Sequence, residues 1–238
     1  MNLKDRVAFV TGAGRGIGRA LAHALAREGC AVALQGRTKK NLDKVEKELK
    51  PYGVRTAVFT GDVSDEGSVA RCASAAEQQL GPVDILVNNA GVFALAEVDK
   101  CDTAVFDKVL AVNLRGPFLM SRAFLPGMKA RRRGHVVNIA STAGKRGFAG
   151  GGAYCASKFG LVGLSQSMLY EARAYDVRVT CVFPSTVYTD MVVKAGIAPK
   201  NADAAIQPED IAEAVLAALK MEGRAMTTSV EIWQTNPF

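Results

Sequence analysis

Short apolar runs alternate with amphipathic stretches along the whole chain. Continuous apolar runs of this length are typical of strands that are buried on both faces. They predict strands at Arg6–Val10, Cys30–Gln35, Val54–Thr60, Val83–Val87, Val136–Ala140, Val177–Phe183 and Val230–Gln234. Apolar residues three and four positions apart predict helices over Arg15–Glu28, Lys39–Leu49, Asp65–Leu80, Ala153–Tyr175 and Pro208–Lys220, and two more within Cys101–Ala130, separated near Leu114–Gly116. Thr38 and Ser64 are the predicted N-caps of the second and third helices.

The strict alternation of strand and helix determines the predicted fold class. It implies parallel strands joined by right-handed crossovers, and therefore an α/β fold with a doubly wound sheet of Rossmann type. The sheet has seven strands, or six if the last apolar run is not a strand. No linker, repeat or low-complexity segment divides the chain, so residues 1–238 are predicted to form a single domain.

Composition narrows the classes of function. Apolar residues make up 49% of the chain and charged residues 22%, as in ordinary globular proteins. No apolar run approaches the ~20 residues of a membrane span, and the first residues lack the features of a signal peptide, so we expect a cytoplasmic protein that does not bind membranes.

The five cysteines are widely spaced without a C-x-x-C pair, which predicts free thiols and no metal site. The net charge of +7 fits either a solvated basic surface or a preference for anionic ligands. Basic and aromatic residues are not interleaved, so no nucleic-acid binding is expected.

A glycine-rich turn lies between the first predicted strand and the first predicted helix. The segment Thr11–Gly18 reads T-G-A-G-R-G-I-G, with Gly12, Gly16 and Gly18 in the spacing T-G-x-x-x-G-x-G. Glycines allow the backbone to approach a pyrophosphate, and the helix N-terminus offers free N–H groups to it. This placement predicts a dinucleotide site, with Ile17 beside it; the alternative is a tight turn with no ligand.

The end of the second predicted strand indicates which dinucleotide is bound. NAD-binding proteins usually carry an acid there for the ribose hydroxyl, whereas this chain reads Leu34–Lys40 without one. Gly36 adds no side chain that would repel a 2′-phosphate, and Arg37 can bind that phosphate with two hydrogen bonds. Arg15 could reach the same group. We therefore predict NADP(H) in preference to NAD(H), with Lys39 and Lys40 as part of a solvated helix start.

Tyr154 and Lys158 are four residues apart and therefore share one helix face. An ammonium group near a phenol is expected to lower the pKa of the phenol from ~10 and to make it a proton donor and acceptor for a carbonyl/alcohol pair. Ser141 ends the fifth predicted strand, and the segment Asn88–Gly91 follows the fourth. Ligands of such sheets bind beyond the carboxyl ends of the strands, so Ser141 is placed to hydrogen-bond a substrate oxygen.

Taken in order from about Lys4 to Met191, these motifs resemble the short-chain dehydrogenase/reductase family. The resemblance implies a catalytic tetrad of Asn113, Ser141, Tyr154 and Lys158, in which Lys158 also binds the nicotinamide ribose and Asn113 holds a water of a proton relay. The cofactor contacts expected from the residues and from the resemblance together are Gly12, Arg15, Gly16, Ile17, Gly18, Arg37, Asp62, Val63, Asn89, Ala90, Gly91, Tyr154, Lys158, Pro184, Val187 and Thr189.

Two features depart from the family pattern. Ser185 follows Pro184 where the family usually has glycine, and the chain ends in Val230–Phe238 in place of a glycine-rich segment. A homodimer or homotetramer is the expected assembly, but the second departure puts the usual tetramer contacts in doubt.

The substrate is the least determined feature. Residues at about 188–206 are predicted to form a lid, with Tyr188, Met191 and Ile197 in it and with Phe93, Ala143 and Phe148 on the wall; only Lys194 and Lys200 in the lid could bind a carboxylate. An apolar wall suits a carbonyl with a hydrocarbon arm. Among subfamilies the chain most resembles 3-oxoacyl-acyl-carrier-protein reductases, which implies an acyl-thioester substrate. The basic run 129–133 is then either a docking site for an acidic acyl-carrier protein near the mouth of the pocket or a solvated helix end. A small free ketone, aldehyde or alcohol is the alternative substrate, and a non-catalytic cofactor-binding scaffold is the alternative function.

Overall fold

A computed structural model describes residues 2–199 and 201–235. The strands are β1 Val7–Thr11, β2 Ala31–Gly36, β3 Thr56–Thr60, β4 Ile85–Asn88, β5 Gly134–Ile139, β6 Val177–Pro184 and β7 Ser229–Ile232. The α-helices are α1 Gly16–Arg27, α2 Lys39–Leu49, α3 Glu66–Leu80, α4 Thr103–Leu110, α5 Gly116–Ala130, α6 Gly152–Ala172, α7 Asp190–Lys194 and α8 Pro208–Lys220.

The strands form one parallel sheet in the order β3-β2-β1-β4-β5-β6-β7. Val10 of β1 pairs with Leu34 on one side and with Val87 on the other. The strand order reverses between β1 and β4, and this switch point opens a crevice beyond the carboxyl ends of the strands. The predicted α/β fold with a seven-stranded doubly wound sheet is confirmed.

Each face of the sheet has its own apolar core. Because side chains alternate along a strand, Ala8 and Val10 of β1 face helices α1, α2 and α8, while Val7 and Phe9 face α3, α5 and α6. Phe9 packs against Phe124 of α5, with ring centroids 5.0 Å apart. Burial on both faces explains why the strands are apolar throughout.

The structure corrects the predicted cap of α3. The N-cap is Asp65, whose carboxylate accepts a hydrogen bond from the backbone N–H of Ser68. Ser64 is not the cap, because its hydroxyl donates instead to the carboxylate of Asp62 at 2.6 Å. Thr38 occupies the N-cap position of α2 as predicted, but its side chain makes no capping hydrogen bond.

The predicted break near Leu114–Gly116 is a change of helix type rather than an interruption. A π-helical turn over Ala111–Arg115 joins α4 to α5, and such turns occur frequently at functional sites. The predicted long helix ends earlier than Tyr175, because Arg173–Tyr175 form a 3₁₀ turn after α6. Helix α7 was not predicted from the sequence.

No helix in the described residues is long and apolar enough to cross a membrane. The five cysteines are free thiols, as predicted, and four of them are buried. Within residues 2–199 and 201–235, no three His, Cys, Asp or Glu side chains lie together as a metal site would require.

Candidate active site

A cleft of about 500 Å³ opens beyond the carboxyl ends of β1, β2, β4, β5 and β6. The cleft therefore lies at the switch point of the sheet, where ligands of this topology bind. Most of the predicted site residues line the cleft: Gly12, Arg15, Gly16, Ile17, Arg37, Asp62, Val63, Asn89, Ala90, Gly91, Ser141, Tyr154, Lys158, Pro184, Val187 and Thr189. Two predicted residues, Gly18 and Asn113, do not line it.

The glycine-rich turn is packed so tightly that side chains would fill it. Gly12 has a φ of +64°, and a Cβ atom there would lie 3.0 Å from the Cα of Ala90. A Cβ at Gly18 would lie 2.3 Å from the carbonyl oxygen of Gly12. Gly18 thus supports the turn from behind rather than lining the cleft. The turn leaves an open backbone cradle at the N-terminus of α1, as binding of a pyrophosphate requires.

Thr11 and Asn89 hold the floor of this cradle in place. The Thr11 hydroxyl accepts hydrogen bonds from the backbone N–H groups of Asn89 and Ala90 at 2.9 and 3.0 Å. The Asn89 side-chain amide donates to the Thr11 carbonyl oxygen at 2.9 Å. These contacts join the ends of β1 and β4 on either side of the switch point.

The other end of the cleft, beyond β2, is basic and open. Gly36 and Arg37 line it together with Thr38 and Asn41, and the Arg37 side chain is exposed. Burial alone would raise the pKa of Asp62, but hydrogen bonds from Ser64 and the positive charges of Arg37 and Lys108 together lower the pKa below its ordinary value. Asp62 is therefore an ionised acceptor at neutral pH.

Three reactive side chains meet at the opposite end of the cleft. Ser141 lies two residues after the end of β5, while Tyr154 and Lys158 lie on successive turns of α6. The Ser141 oxygen accepts a hydrogen bond from the N–H of Ala143 at 3.1 Å. The Lys158 ammonium lies 5.6 Å from the ring centroid of Tyr154 and donates to the Ile139 carbonyl at 2.8 Å.

Burial determines the protonation states of Tyr154 and Lys158. It raises the pKa of Tyr154 to about 12, although the hydrogen bond with Ser141 opposes the change. Burial likewise lowers the pKa of Lys158 to about 8. The expectation that Lys158 lowers the pKa of Tyr154 is not met here, because burial, which disfavours the charged phenolate, is the dominant effect. Tyr154 is thus a protonated phenol at neutral pH and can donate a proton.

Asn113 reaches the site indirectly, from the π-helical turn. Its side chain is fully buried, accepts a hydrogen bond from Val92 N–H and donates one to the Val92 carbonyl, both at 2.9 Å. It also donates to the hydroxyl of Ser157 at 3.1 Å, and that hydroxyl donates to the backbone oxygen of Tyr154 at 2.7 Å. Asn113 therefore fixes both Val92, on the cleft wall, and the helical turn that carries Tyr154.

Comparisons with known proteins agree with this geometry. Residues 6–200 match the family model described as short chain dehydrogenase. The chain belongs to the short-chain dehydrogenase/reductase family. It is therefore an oxidoreductase that acts on alcohol and carbonyl groups.

Similar members of the family differ in what their names say they act on. The chain is 38% identical over 226 residues to glycine betaine reductase ATRR from Emericella nidulans; this covers 92% of the chain but only 18% of that longer protein. It is 33% identical over 237 residues to sepiapterin reductase from Chlorobaculum tepidum, covering 97% and 96% of the two chains. An alcohol dehydrogenase from Thermococcus sibiricus complexed with 5-hydroxy-NADP superposes with a TM-score of 0.90 at 31% identity and 97% coverage of both chains.

The cleft of this short-chain dehydrogenase/reductase also includes residues that the sequence did not indicate: Gly14, Gln35, Thr38, Asn41, Leu42, Gly61, Val92, Val112, Ile139, Ala140 and Asp190. Several of them, such as Gln35 and Ile139, lie in the last two residues of parallel strands, so their position at the carboxyl edge could have been inferred from the sequence. Asn41 and Val112 lie on helices, and only the packing of those helices brings them to the cleft.

The predicted lid is partly built by α7. Tyr188, Met191 and Val192 line the cleft, and the Thr189 side chain lies against the glycine turn, 3.4 Å from where a Cβ of Gly16 would be. Val193 and Ile197 are exposed. Lys200, predicted to lie in the lid, and residues 236–238, at the end of the predicted atypical C-terminal segment, lie outside the described residues.

The predicted apolar wall is only partly found. Phe93 packs edge-on against Tyr154 with centroids 4.8 Å apart, so it supports the reactive phenol. Ala143 is buried, and Phe148 is 46% exposed. None of the three lines the cleft itself, so they form its surroundings.

The basic run 129–133 does not lie near the mouth of the cleft, and that part of the prediction is wrong. Arg132 pairs with Asp176, just before β6, and Arg133 pairs with Asp84, just before β4. Arg131 donates to the carbonyl of Val83 at 3.0 Å. These partners lie at the amino ends of the strands. At ~3.3 Å per residue, β5 alone separates them from Ser141 by about 20 Å.

Proposed function

We propose that this enzyme interconverts a carbonyl group and a secondary alcohol with NADP(H), using Ser141, Tyr154 and Lys158. The observation that carries the proposal is the shared cleft: the three side chains line the same cavity as the glycine-rich turn. The complete set of reactive groups also argues against a non-catalytic scaffold, which would need only the cofactor-binding end.

The residues of the cleft fit a dinucleotide. The backbone cradle at Gly12 and Gly16 would hold the pyrophosphate, with Asp62 and Val63 beside the adenine and with Val187 and Thr189 towards the carboxamide. Further contacts are proposed at Ile17, Asn89, Ala90, Gly91 and Pro184, with Gly18 acting from behind the turn. When bound, the nicotinamide supplies or accepts the hydride.

The basic end of the cleft supports NADP(H) over NAD(H). Gly36 leaves room, and the exposed Arg37 can bind a 2′-phosphate with two hydrogen bonds. Arg15, which forms a long ion pair with Asp190 at 3.9 Å, is available on the other side. The complex of the Thermococcus sibiricus relative with 5-hydroxy-NADP supports the same choice.

The chain's own groups account for the proton. In reduction, the Ser141 hydroxyl donates a hydrogen bond to the substrate oxygen, and Tyr154 gives that oxygen its proton. In oxidation, the tyrosine oxygen takes the proton back. Lys158 binds the nicotinamide ribose in this proposal, and Asn113 holds the water that replenishes the proton. A protonated Tyr154 at neutral pH suits the reductive direction.

A small free carbonyl compound is the substrate class that we favour. The segment 188–206 would close over it, since Tyr188, Met191 and Val192 already line the cleft. The remote position of the basic run removes the main support for an acyl-carrier protein as partner. A 3-oxoacyl thioester remains the second candidate, because the exposed Phe148 and Ile197 could contact an acyl chain.

A homodimer or homotetramer is also proposed. Helices α4, α5 and α6 expose large apolar side chains, among them Phe106, Phe118, Phe159 and Tyr170. Helices α4 and α5 both pack against α6, and a large exposed apolar patch marks an interaction surface. Light scattering at several protein concentrations would test the assembly.

The function is tested with a panel of ketones, diketones and alcohols, run with NADPH, NADH, NADP⁺ and NAD⁺. The matched variants are Tyr154→Phe and Tyr170→Phe, because both residues lie on α6 but Tyr170 is 71% exposed and far along the helix. We expect turnover by the wild type and by Tyr170→Phe, and a loss of about 10²-fold or more in Tyr154→Phe. Retention of most activity in Tyr154→Phe would overturn the assignment.

A further inference from the structure

A second group of charged and aromatic side chains lies beyond the carboxyl end of β7. The guanidinium of Arg146 stacks over the indole of Trp233 at 4.5 Å from the ring centroid. The indole N–H donates to Glu231 at 2.8 Å, and the other oxygen of Glu231 accepts from the ammonium of Lys145. Lys145 in turn lies 4.4 Å from the ring centroid of Phe183. We call these four residues, Lys145, Arg146, Glu231 and Trp233, the rim cluster.

Strand pairing places the rim cluster beside the substrate end of the cleft. Ile232 pairs with Pro184, and its carbonyl oxygen accepts a hydrogen bond from Ser185 N–H at 2.9 Å. Pro184 and Ser185 both line the cleft. Trp233 is the next residue after Ile232 and is thus about one strand spacing, roughly 4.8 Å, from the cleft wall.

The second half of the cluster comes from the loop that links two reactive residues. Arg146 lies between Ser141, at the end of β5, and Tyr154, near the start of α6. The rim cluster is therefore built partly on the segment that joins Ser141 to the start of α6. It is on the opposite side of the reactive group from the dinucleotide cradle at β1 and β2.

The charges of the cluster do not balance. Glu231 is hydrogen-bonded to Lys145, which lowers its pKa, and it is therefore a carboxylate at neutral pH. One acid faces two cations, and among the described residues no carboxylate forms an ion pair with Arg146. Arg146 is exposed, and Trp233 is 46% exposed. A guanidinium fixed against an aromatic plate, with its edge free, is well suited to bind a carboxylate with two hydrogen bonds.

We propose that Arg146, held by Trp233, binds a carboxylate of the substrate, so that this enzyme acts on ketones or alcohols that carry a carboxylate at the end remote from the reacting carbon. The inference rests on the proposed function and narrows its substrate class. In this arrangement Lys145 and Glu231 position the indole, and the reacting carbonyl lies at Ser141 and Tyr154. The sequence indicated only Lys194 and Lys200 for this task, because only cations of the lid were expected to bind a carboxylate.

The kinetic test uses levulinate and its longer straight-chain homologues, all of them methyl ketones that end in a carboxylate, each paired with its methyl ester. We expect the wild type to have a higher kcat/KM for the acid than for the ester at one optimum chain length. In Arg146→Gln the acid-to-ester ratio at that length should fall by about tenfold or more, since a hydrogen bond between charged groups contributes at least that much. Arg146→Lys should keep part of the preference.

Arg132→Gln is the matched control, because it removes the same charge at the far edge of the sheet and should leave the ratio unchanged. A wild type that reduces the esters without preferring the acids, or an Arg146→Gln variant with the wild-type ratio, would overturn the inference while leaving the proposed function intact.

A binding measurement separates the inference from the reaction. Trp233 is the only tryptophan in the chain, so a carboxylate bound at Arg146 should change the intrinsic fluorescence. Titration with the same acids should give a saturable change that the esters do not give and that Arg146→Gln abolishes. If no ketone is turned over, the proposed function fails. The titration alone then decides the inference, and the absence of a specific change refutes it.

Discussion

The side-chain amide of Asn113 donates a hydrogen bond of 3.1 Å to the hydroxyl of Ser157, which lies next to Lys158. The same hydroxyl donates to the backbone oxygen of Tyr154 at 2.7 Å. The π-helical turn is thereby tied to the helical turn that presents the phenol. Ser157 is fully buried and does not line the active-site cleft, so its contribution is to position Tyr154.

Ser157→Ala should lower kcat by roughly tenfold, because small misplacements of a reactive group are costly, and should reduce stability by about 1 kcal/mol. Ser165→Ala is the control: Ser165 is a buried serine of the same helix that bonds to Asn138 and to the Leu161 carbonyl. It should lose similar stability while kcat stays near the wild-type value. Urea unfolding and steady-state kinetics measure both, and equal losses of kcat in the two variants would show that Ser157 is merely structural.

The sequence predicted the fold and the reactive end of the cleft well, for a physical reason. Parallel strands are apolar throughout, and their carboxyl ends meet at one edge, so Ser141 and the Asn89 segment could be placed without coordinates. Helical spacing placed Tyr154 and Lys158 on one face, and the other motifs with the family resemblance assigned the pair to the site. The placement of these residues depends on local periodicity and strand direction, which the sequence contains.

Features that depend on three-dimensional packing were not accessible in the same way. The raised pKa of Tyr154 follows from its burial, and the bond of Lys158 to the Ile139 carbonyl follows from packing; no sequence spacing reveals either. The basic run 129–133 was assigned to the wrong edge of the sheet, although its place before β5 already implied the amino end. The neighbours Arg146 and Trp233 are far apart in sequence and meet only through the pairing of β6 with β7.

Lys158 should make the stability of the protein rise with pH. Burial lowers its pKa from 10.5 to about 8. Below pH 8 both states hold the proton and the penalty for the buried charge is fully present; between 8 and 10.5 the unfolded chain holds a proton that the native state has lost, so stability increases. The gain from pH 7 to 10 should be about 2.5 kcal/mol at most.

The measurement is urea unfolding of the wild type and Lys158→Met at several pH values across this range. The difference in unfolding free energy between the two proteins should grow with pH in favour of the wild type. The pKa of Tyr154 is raised, so its opposite effect begins only near pH 10, where the unfolded phenol ionises. A difference that is flat or falls between pH 8 and 10 would contradict the assignment.

Gly18→Ala should destabilise the protein and impair dinucleotide binding. The new Cβ would lie 2.3 Å from the Gly12 carbonyl oxygen and 2.5 Å from the Asn89 amide, and overpacking of this kind costs about 1–3 kcal/mol. Gly163→Ala is the matched control in α6, where nothing lies within 4 Å of the added atom, and it should stabilise by about 0.5–1 kcal/mol. Thermal unfolding compares the stability changes of the two variants. If both variants are stabilised, the glycine-rich turn relaxes around the added methyl group and the prediction is wrong.

If an acyl-carrier protein is a partner, it must bind at the carboxyl edge of the sheet. Arg132→Glu should therefore leave KM for a carrier-bound 3-oxoacyl substrate unchanged, because Arg132 pairs with Asp176 at the amino edge. Lys194→Glu, in the last turn of α7, should raise that KM, and more so at low salt, where charges interact over a longer range. A KM effect confined to Arg132→Glu would restore the amino-edge docking site.

Arg37→Asp should reverse the cofactor preference. The change replaces a guanidinium that can bind the 2′-phosphate by a carboxylate that repels it, and the same carboxylate can accept hydrogen bonds from the ribose hydroxyls of NAD(H). Loss of a charged hydrogen bond costs ~1.5–3 kcal/mol, so NADPH affinity should fall by roughly tenfold or more. Lys40→Asp makes the same change of charge at an exposed position nearby and should alter affinity far less, since residue 40 does not line the cleft.

Fluorescence titrations with NADPH and NADH give four dissociation constants for each comparison of the wild type with one variant. A wild type that binds NADH as tightly as NADPH, or equal weakening in both variants, would show that Arg37 does not recognise the phosphate.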